Sequence, residues 1–127
     1  MSVDNVPQRI LAQHGTIAVY ALADGYIRLD IGPASMLLTP GAFLALAEVV
    51  AAAARCGEDC AGVLAGDPRH GAVWRCHTHR TLTLLIDRVA LRLAPGALPA
   101  LTGVCSRAQQ TLTTIHLNPR IDGYPLN

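Results

Sequence analysis

The residues of this 127-residue sequence best suited to chemistry are two pairs of metal-ligating side chains. Cys56 and Cys60 have the spacing C-x3-C, and after fifteen further residues Cys76 and His79 have the spacing C-x2-H, within the segment RCHTHR. Structural zinc sites are commonly built from two such pairs, because thiolate and neutral imidazole are preferred zinc ligands. The spacing predicts a zinc ion held by these four residues. With all four positions filled by protein, the metal would have a structural or sensory role, and no catalysis is expected.

A second arrangement uses the other histidines near Cys76. If the chain continues as a strand through residues 76–79, Cys76 points to one face, and His77 and His79 share the other. His77, or His70 from the preceding loop, is then an alternate ligand. Such a face suits copper, nickel or haem iron, because imidazole binds these metals well. The sequence leaves these arrangements open.

The cysteines also allow interpretations without a metal. Cys56 and Cys60 could cycle between two thiols and a disulfide as a redox pair, provided that the preceding helix ends between them. Alternatively, these cysteines are small buried hydrophobic residues with no chemical role. Cys105 is assigned to this last class, because it lies in a predicted helix face of Ala, Leu and Val.

A different class of function follows from the arginines and the aromatic residues. All ten basic residues are arginine, and the formal net charge is +1. This balance argues against a strongly electrostatic nucleic-acid binder, which needs a basic face. Arginines beside an aromatic ring can still offer a stacking surface to a base. The alternative function is therefore a single-stranded nucleic-acid-binding module, with contact residues Arg28, Trp74, Arg75, Arg80 and Arg92, joined by Tyr26.

The composition predicts an oligomeric, cytoplasmic protein. Hydrophobic residues make up 51% of the chain but aromatic residues only 4%, and a small domain has little interior for so much aliphatic surface. We therefore expect a homodimer or larger homo-oligomer with an accessory or regulatory role. The N-terminal segment has no apolar signal core, and no run reaches the roughly 18 apolar residues of a membrane span. In the reducing cytoplasm, the four cysteines stay as thiols unless they bind metal or do redox work.

Two segments of the chain resemble each other and indicate an internal duplication. Residues 24–55 align without a gap on residues 79–110, at a constant offset of 55. Ten positions are identical, and they include a Pro-Gly-Ala triplet in register. Positions 76–79 correspond at this offset to residues 21–24, which contain no cysteine or histidine. The predicted metal ligands are therefore specific to the second copy.

Each copy predicts strands followed by a helix. Alternating apolar and polar residues indicate strands with one wet face, and Thr39 before Pro40 indicates a capped helix start. The first copy predicts strands at 17–22, 27–31 and 36–38 and a helix at 42–55. The second copy predicts strands at 73–77, 81–86 and 89–93 and a helix at 97–110. A short helix ending at residue 14 and a strand at 111–117 complete the prediction.

These elements predict a single α+β domain over residues 1–127, made of two ββ(β)α units with helices packed on one face of an antiparallel sheet. The pseudo-repeats are residues 16–55 and 71–110, with a linker at 56–70 and a C-terminal strand and tail at 111–127. Single-stranded nucleic-acid-binding folds built from paired sheet-plus-helix repeats share this layout. Because that likeness concerns the fold alone, it supports nucleic-acid binding only as an alternative.

Overall fold

The structure is a computed structural model, and it describes residues 8–56, 60–67, 71–76, 78–79, 81–86, 88–94 and 96–117. The described residues form two repeats, each with four strands followed by one helix. The first repeat contains β1 (Gln8–His14), β2 (Ile17–Leu22), β3 (Ile27–Ile31), β4 (Ala34–Leu38) and α1 (Pro40–Ala54). The second repeat contains β5 (Gly62–Asp67), β6 (Gly71–Arg75), β7 (Leu82–Ile86), β8 (Val89–Leu93) and α2 (Ala97–Leu117). The predicted tail after residue 117 lies outside the described residues. The α+β class and the duplication of sheet-plus-helix units are confirmed.

Each repeat forms its own antiparallel sheet, with strand orders β1-β2-β3-β4 and β5-β6-β7-β8. Side chains alternate between the two faces of each strand, and this alternation separates the buried face from the outer face. In β3, for example, Ile27, Leu29 and Ile31 are buried, whereas Arg28 and Asp30 lie on the opposite face. The corresponding buried residues of β7 are Leu82, Leu84 and Ile86. Each sheet therefore has one face towards the core and one outer face.

The two helices are exchanged between the repeats. Helix α1, which follows the first sheet, packs mainly on β5 and β6 of the second sheet, and α2 packs on β1 and β2 of the first. The helices also pack against each other. At the end of β1, the Gln13 carbonyl accepts a hydrogen bond of 3.4 Å from Nη2 of Arg107 in α2. The buried side chains of both repeats consequently form one shared hydrophobic core.

The sequence of α1 suits this position between a sheet and a second helix. Thr39 caps the helix, because its Oγ1 accepts a hydrogen bond of 3.1 Å from the Ala42 N–H. Phe43 and Val50 are among its fully buried side chains. A helix covered on two sides needs few polar positions, and α1 accordingly carries a single charged residue, the exposed Glu48.

The predicted strand at residues 111–117 is wrong, because α2 continues through these residues to Leu117. The β-branched threonines favour a strand when the sequence is considered alone. In the helix, the hydroxyls of Thr111, Thr113 and Thr114 each donate to the carbonyl four residues earlier. Leu112 is buried on the apolar side of the helix, so packing in the core outweighs the local preference for a strand.

The first strand of each repeat lies where the sequence predicted other structure. Gln8–His14 forms β1, so the predicted short helix ending at His14 is wrong. Gly62–Asp67 forms β5, so the predicted linker at 56–70 is wrong in part. Both strands lie at the edge of a sheet. Edge strands pair on one side only and carry a weaker alternation of apolar residues, which explains why the sequence pattern missed them.

A bulge at equivalent leucines shows that β1 and β5 belong to the duplication. The strand register shifts at Leu11 in β1 and at Leu64 in β5. Both leucines are buried, so each bulge turns an additional apolar side chain towards the core. The flanking segments, Ile-Leu-Ala and Val-Leu-Ala, stand at an offset of 53 rather than 55. An alignment without gaps therefore cannot detect this part of the repeat.

Candidate functional site

The Cys56 and Cys60 pair lies just after α1, against the edge of the shared core. The Cys56 thiol donates a hydrogen bond of 3.4 Å to the Leu64 carbonyl, and the Cys60 thiol donates to the Cys56 carbonyl. The Cys60 carbonyl accepts a bond of 2.9 Å from Nη1 of Arg75, which is itself a buried residue. These bonds tie the segment after α1 to the end of β6 on the core side of the second sheet.

Cys76 and His79 lie in the connection between β6 and β7. The Cys76 N–H donates a bond of 2.8 Å to the Thr81 carbonyl, which extends the β6–β7 ladder by one pair. Backbone hydrogen bonds from His79 and Thr78 lower the pKa of the Cys76 thiol, and the positive charge of Arg92 acts in the same direction. A lowered pKa increases the thiolate fraction at neutral pH, and thiolate is the reactive and metal-binding form.

The four predicted zinc ligands are not gathered into one group. Among the described residues, no three Cys, His, Asp or Glu side chains are placed so that they could share a metal ion. The pairing of Gly62 with Arg75 brings both segments to the same end of the second sheet. Cys60 packs towards the core, however, whereas Cys76 is influenced by the charge of the exposed Arg92. Cys76, unlike Cys56 and Cys60, is not among the residues packed against the core.

The alternate metal ligands, one predicted nucleic-acid contact and the predicted core cysteine complete the sequence-predicted residues of this region. His70 and His77, the alternate ligands, and Arg80 lie outside the described residues. Cys105 is 1% exposed, which confirms its place in the core, and burial raises the pKa of its thiol to about 12. Binding of zinc, copper, nickel or haem, and redox cycling of the thiols, stay predictions.

The outer faces of the two sheets each carry a row of side chains that crosses all four strands. In the first sheet, paired residues run strand by strand through Ile10, Tyr20, Arg28 and Leu37, which we name the tyrosine row. In the second sheet, they run through Val63, Trp74, Thr83 and Arg92, which we name the tryptophan row. Both rows have an aliphatic residue on the first strand, an aromatic residue on the second, and an arginine on the third or fourth.

In the tyrosine row, the arginine covers the aromatic ring. The Arg28 guanidinium carbon lies 4.2 Å from the centre of the Tyr20 ring. Its Nη2 forms an ion pair of 3.2 Å with Asp30 Oδ2, and its Nη1 donates a bond of 3.3 Å to Gln8 Oε1. Asp30 is held in turn by a bond of 2.7 Å from the Ser35 hydroxyl. The guanidinium is therefore clamped over the ring from two sides.

In the tryptophan row, the aromatic ring is more open. Trp74 is 39% exposed and Val63 is 63% exposed. Thr83, the direct neighbour of Trp74 on β7, is only partly buried, and Arg92 on β8 is exposed. Neighbouring strands lie about 4.8 Å apart, so the Cα atoms of Trp74 and Arg92 are separated by roughly 10 Å. An indole and a guanidinium thus share one accessible surface.

The structure places the sequence-predicted nucleic-acid contacts in different environments. Arg28, Trp74 and Arg92 lie on the outer faces. Arg75 is buried and bonded to Cys60, so it is not accessible to a large ligand. Tyr26 is 45% exposed in the turn between β2 and β3, outside both rows.

Tyr20 and Thr83 are site residues that the sequence analysis missed. The signal for them is the recurrence of Ala-Val-Tyr at 18–20 as Ala-Val-Trp at 72–74. This match has an offset of 54, because the hairpin that follows is one residue longer in the second repeat. The alignment at a constant offset of 55 placed these two aromatic residues out of register.

Comparison of the chain with protein-family models, with curated proteins and with solved structures finds no match. In the part of the chain that the structure describes, no helix is both long and apolar enough to cross a membrane. The predicted homodimer and the predicted cytoplasmic location stay predictions. A function for this chain therefore has to be inferred from the geometry of its surfaces.

Proposed function

We propose that this protein binds single-stranded nucleic acid on the outer faces of its two sheets. The observation that carries the proposal is the recurrence of an aromatic residue and an arginine in the same cross-strand row of both repeats. Non-specific single-strand binders combine aromatic rings, on which bases stack, with positive groups that follow the phosphates. An antiparallel sheet with one face covered by helices offers both on a surface of fixed geometry.

The tryptophan row has the dimensions that one nucleotide unit requires. A base stacked on Trp74 leaves its sugar and phosphate at the edge of the indole, and Arg92 stands two strands away on the same face. The long arginine side chain can swing towards that phosphate without a change in the backbone. Val63, on the other side of Trp74, extends the apolar surface under the base.

The near-neutral charge predicts that this binding depends only weakly on salt concentration. With a formal net charge of +1, the protein lacks the basic surface that releases many counterions. If Arg92 neutralises one phosphate, while Arg28 stays paired with Asp30, log K falls with log salt at a slope of about −0.7 for a single strand. Stacking then supplies most of the affinity, and moderate salt should weaken binding by only a few fold.

The fluorescence of Trp74 reports on binding directly, because Trp74 is the single tryptophan of the chain. We expect its fluorescence to be quenched in a saturable way by oligothymidylate of about fifteen nucleotides, a length that covers known single-strand site sizes. A duplex of the same length should quench it far less, because its bases are already stacked. The matched control is Val89→Ala, which removes an exposed apolar side chain outside both rows. Absence of quenching and of any change in anisotropy of a labelled oligonucleotide would refute the proposal.

A second candidate function, zinc binding in an accessory or regulatory protein, is favoured by the register of β5 and β6. Because Gly62 pairs with Arg75, the residues that precede β5 approach those that follow β6, and these include Cys60 and Cys76. Coordination of one zinc ion by both segments would require Cys76 to turn its thiol towards Cys56 and Cys60. Zinc itself could favour that change, since binding energy is coupled to local folding.

Metal content tests the second candidate directly. Protein purified without a histidine tag should contain one zinc ion per chain, which is lost on acidification because the ligands must be deprotonated. Cys76→Ser should lower the zinc content, whereas Cys105→Ser should leave it unchanged, because Cys105 is in the core. Metal-free protein after purification and after zinc titration would rule this function out.

A further inference from the structure

We infer that the two rows are unequal binding sites: the tryptophan row is open to a base, whereas in the tyrosine row Arg28 occupies the place that a base would take. This inference rests on the proposed function, which it makes more specific. It assigns the primary contact to the second repeat and gives the first repeat a site closed by its own side chain.

The closed state of the tyrosine row follows from the contacts of Arg28. Its guanidinium lies 4.2 Å from the centre of the Tyr20 ring, which is within the range of a cation–π contact. A base that stacked on Tyr20 would have to displace the guanidinium from the ring. It would also have to break the bonds from Arg28 to Asp30 and to Gln8. The free energy needed to break these contacts lowers the affinity of the tyrosine row for a base.

The tryptophan row lacks the equivalent clamp because two residues differ. Thr83 stands where the first repeat has Arg28, and Leu85 stands where it has Asp30. A threonine is too short to reach across an indole ring, and a leucine cannot anchor a guanidinium. The arginine of this row, Arg92, lies one strand further from the aromatic residue. Trp74 is accordingly 39% exposed and offers the larger aromatic surface.

The ligand that this arrangement recognises is one unpaired base with its phosphate, within a single strand. Stacking on an indole accepts any base, because every base has a π-face. The cross-strand neighbours of Trp74, Val63 and Thr83, offer no bidentate hydrogen-bonding group for a base edge. We therefore expect weak sequence preference and a single dominant stacking contact.

The test transfers the clamp from one repeat to the other. Thr83→Arg combined with Leu85→Asp reproduces the Arg28 and Asp30 pair beside Trp74 and leaves the net charge unchanged. Binding of labelled oligothymidylate, measured by anisotropy, should weaken about tenfold in this double variant and also in Trp74→Ala, the size expected for loss of one stacked base. Tyr20→Ala, in the closed row, and the control Val89→Ala, outside both rows, should each change the affinity by less than about twofold.

A second measurement follows the clamp itself, without the ligand. Acrylamide should quench Trp74 fluorescence less efficiently in the double variant than in the wild type, because a guanidinium covers the ring. Failure of the wild type to bind overturns the proposed function and this inference with it. Wild-type binding that Tyr20→Ala weakens as much as Trp74→Ala overturns this inference alone. So does a double variant in which Trp74 is covered and the affinity is unchanged.

Discussion

The two repeats keep apolar residues at their corresponding buried positions, many of them identical, and differ in chemical type on their outer faces. Identical core pairs at the offset of 55 include Leu29 and Leu84, Leu46 and Leu101, and Ala53 and Ala108. The outer face instead pairs Arg28 with Thr83, Asp30 with Leu85, and Leu37 with Arg92. One scaffold therefore presents two chemically different surfaces.

The exchange of helices explains why the core is the more constrained part. Each helix packs on the sheet of the other repeat, so a buried side chain in one copy must fit residues from both copies. Interiors are packed closely enough that a change of one methylene is felt. An outer residue meets mainly its cross-strand neighbours, whose effects are of the order of 0.2–1 kcal/mol. The duplication thus preserves the core while it allows the two outer faces to diverge.

Separating the repeats is the most severe test of this comparison. A fragment of residues 1–56 keeps the first sheet and α1, but it loses α2, which covers that sheet. We expect the fragment to be unfolded, or to form a dimer in which each helix covers the partner's sheet. Sedimentation and circular dichroism distinguish these outcomes from a folded monomer. A stable monomeric fragment would show that the helix exchange is not needed for folding.

Phe43 and Leu98 occupy corresponding positions near the start of the two helices, and they test how equally the copies contribute to the core. Phe43 is 0% exposed and Leu98 is 5% exposed. Phe43→Ala should lower the free energy of unfolding by about 3–5 kcal/mol and Leu98→Ala by about 2–4 kcal/mol, since a larger cavity costs more. Urea denaturation measures both. If Leu98→Ala lowers the free energy of unfolding more than Phe43→Ala does, then the second helix contributes more to core stability than the first.

The parts of the fold that could be predicted are those with strong local patterns. Residues 27, 29 and 31 alternate with polar neighbours, and Thr39-Pro40 marks a helix start, so β3 and α1 lie where the sequence predicts them. The weak points were the edge strands β1 and β5 and the Thr-rich end of α2, whose conformations depend on partners far along the chain. No local pattern indicates that the helices are exchanged.

The candidate site also has a part that the sequence could suggest and a part that depends on the folded structure. Residue type alone selects Trp74 and Arg92, since an indole can stack on a base and an arginine can contact a phosphate, but it equally selects Arg75, which is buried. That they share a row with Thr83 depends on strand register, and a hairpin longer by one residue displaced the sequence alignment. The clamp of Arg28 on Tyr20 depends on side-chain conformation, which a linear pattern does not contain.

Cys105 and its counterpart Val50 give a comparison that depends on pH. Burial raises the pKa of Cys105 from 9.0 to about 12. Between these values the unfolded chain has lost a proton that the folded chain retains, so the free energy of unfolding falls as pH rises. At pH 10 the loss amounts to about 1.4 kcal/mol. Cys105→Val, which restores the residue of the first repeat, should remove this component.

The measurement is urea denaturation of both proteins at neutral pH and at about pH 10, above the usual thiol pKa. The wild type should lose about 1.4 kcal/mol more than Cys105→Val between the two conditions. Other groups titrate equally in both proteins, so the difference isolates the thiol. Equal losses in the two proteins would mean that the Cys105 thiolate is tolerated in the fold.

The smallest expected difference concerns the helix starts. The Thr39 hydroxyl accepts the Ala42 N–H at 3.1 Å, and Thr39→Ala should cost about 1 kcal/mol of unfolding free energy. The corresponding residue of the second repeat is Ala94, whose carbonyl already accepts the Ala97 N–H at 2.9 Å. A hydroxyl added by Ala94→Thr would find that donor occupied, so we expect stability within about 0.5 kcal/mol of the wild type. Thermal and urea unfolding of both variants, with Thr39→Ser as the control that keeps the cap, measure the asymmetry. A gain from Ala94→Thr as large as the loss from Thr39→Ala would show that the two helix starts are equivalent and that only the hydroxyl is missing from the second.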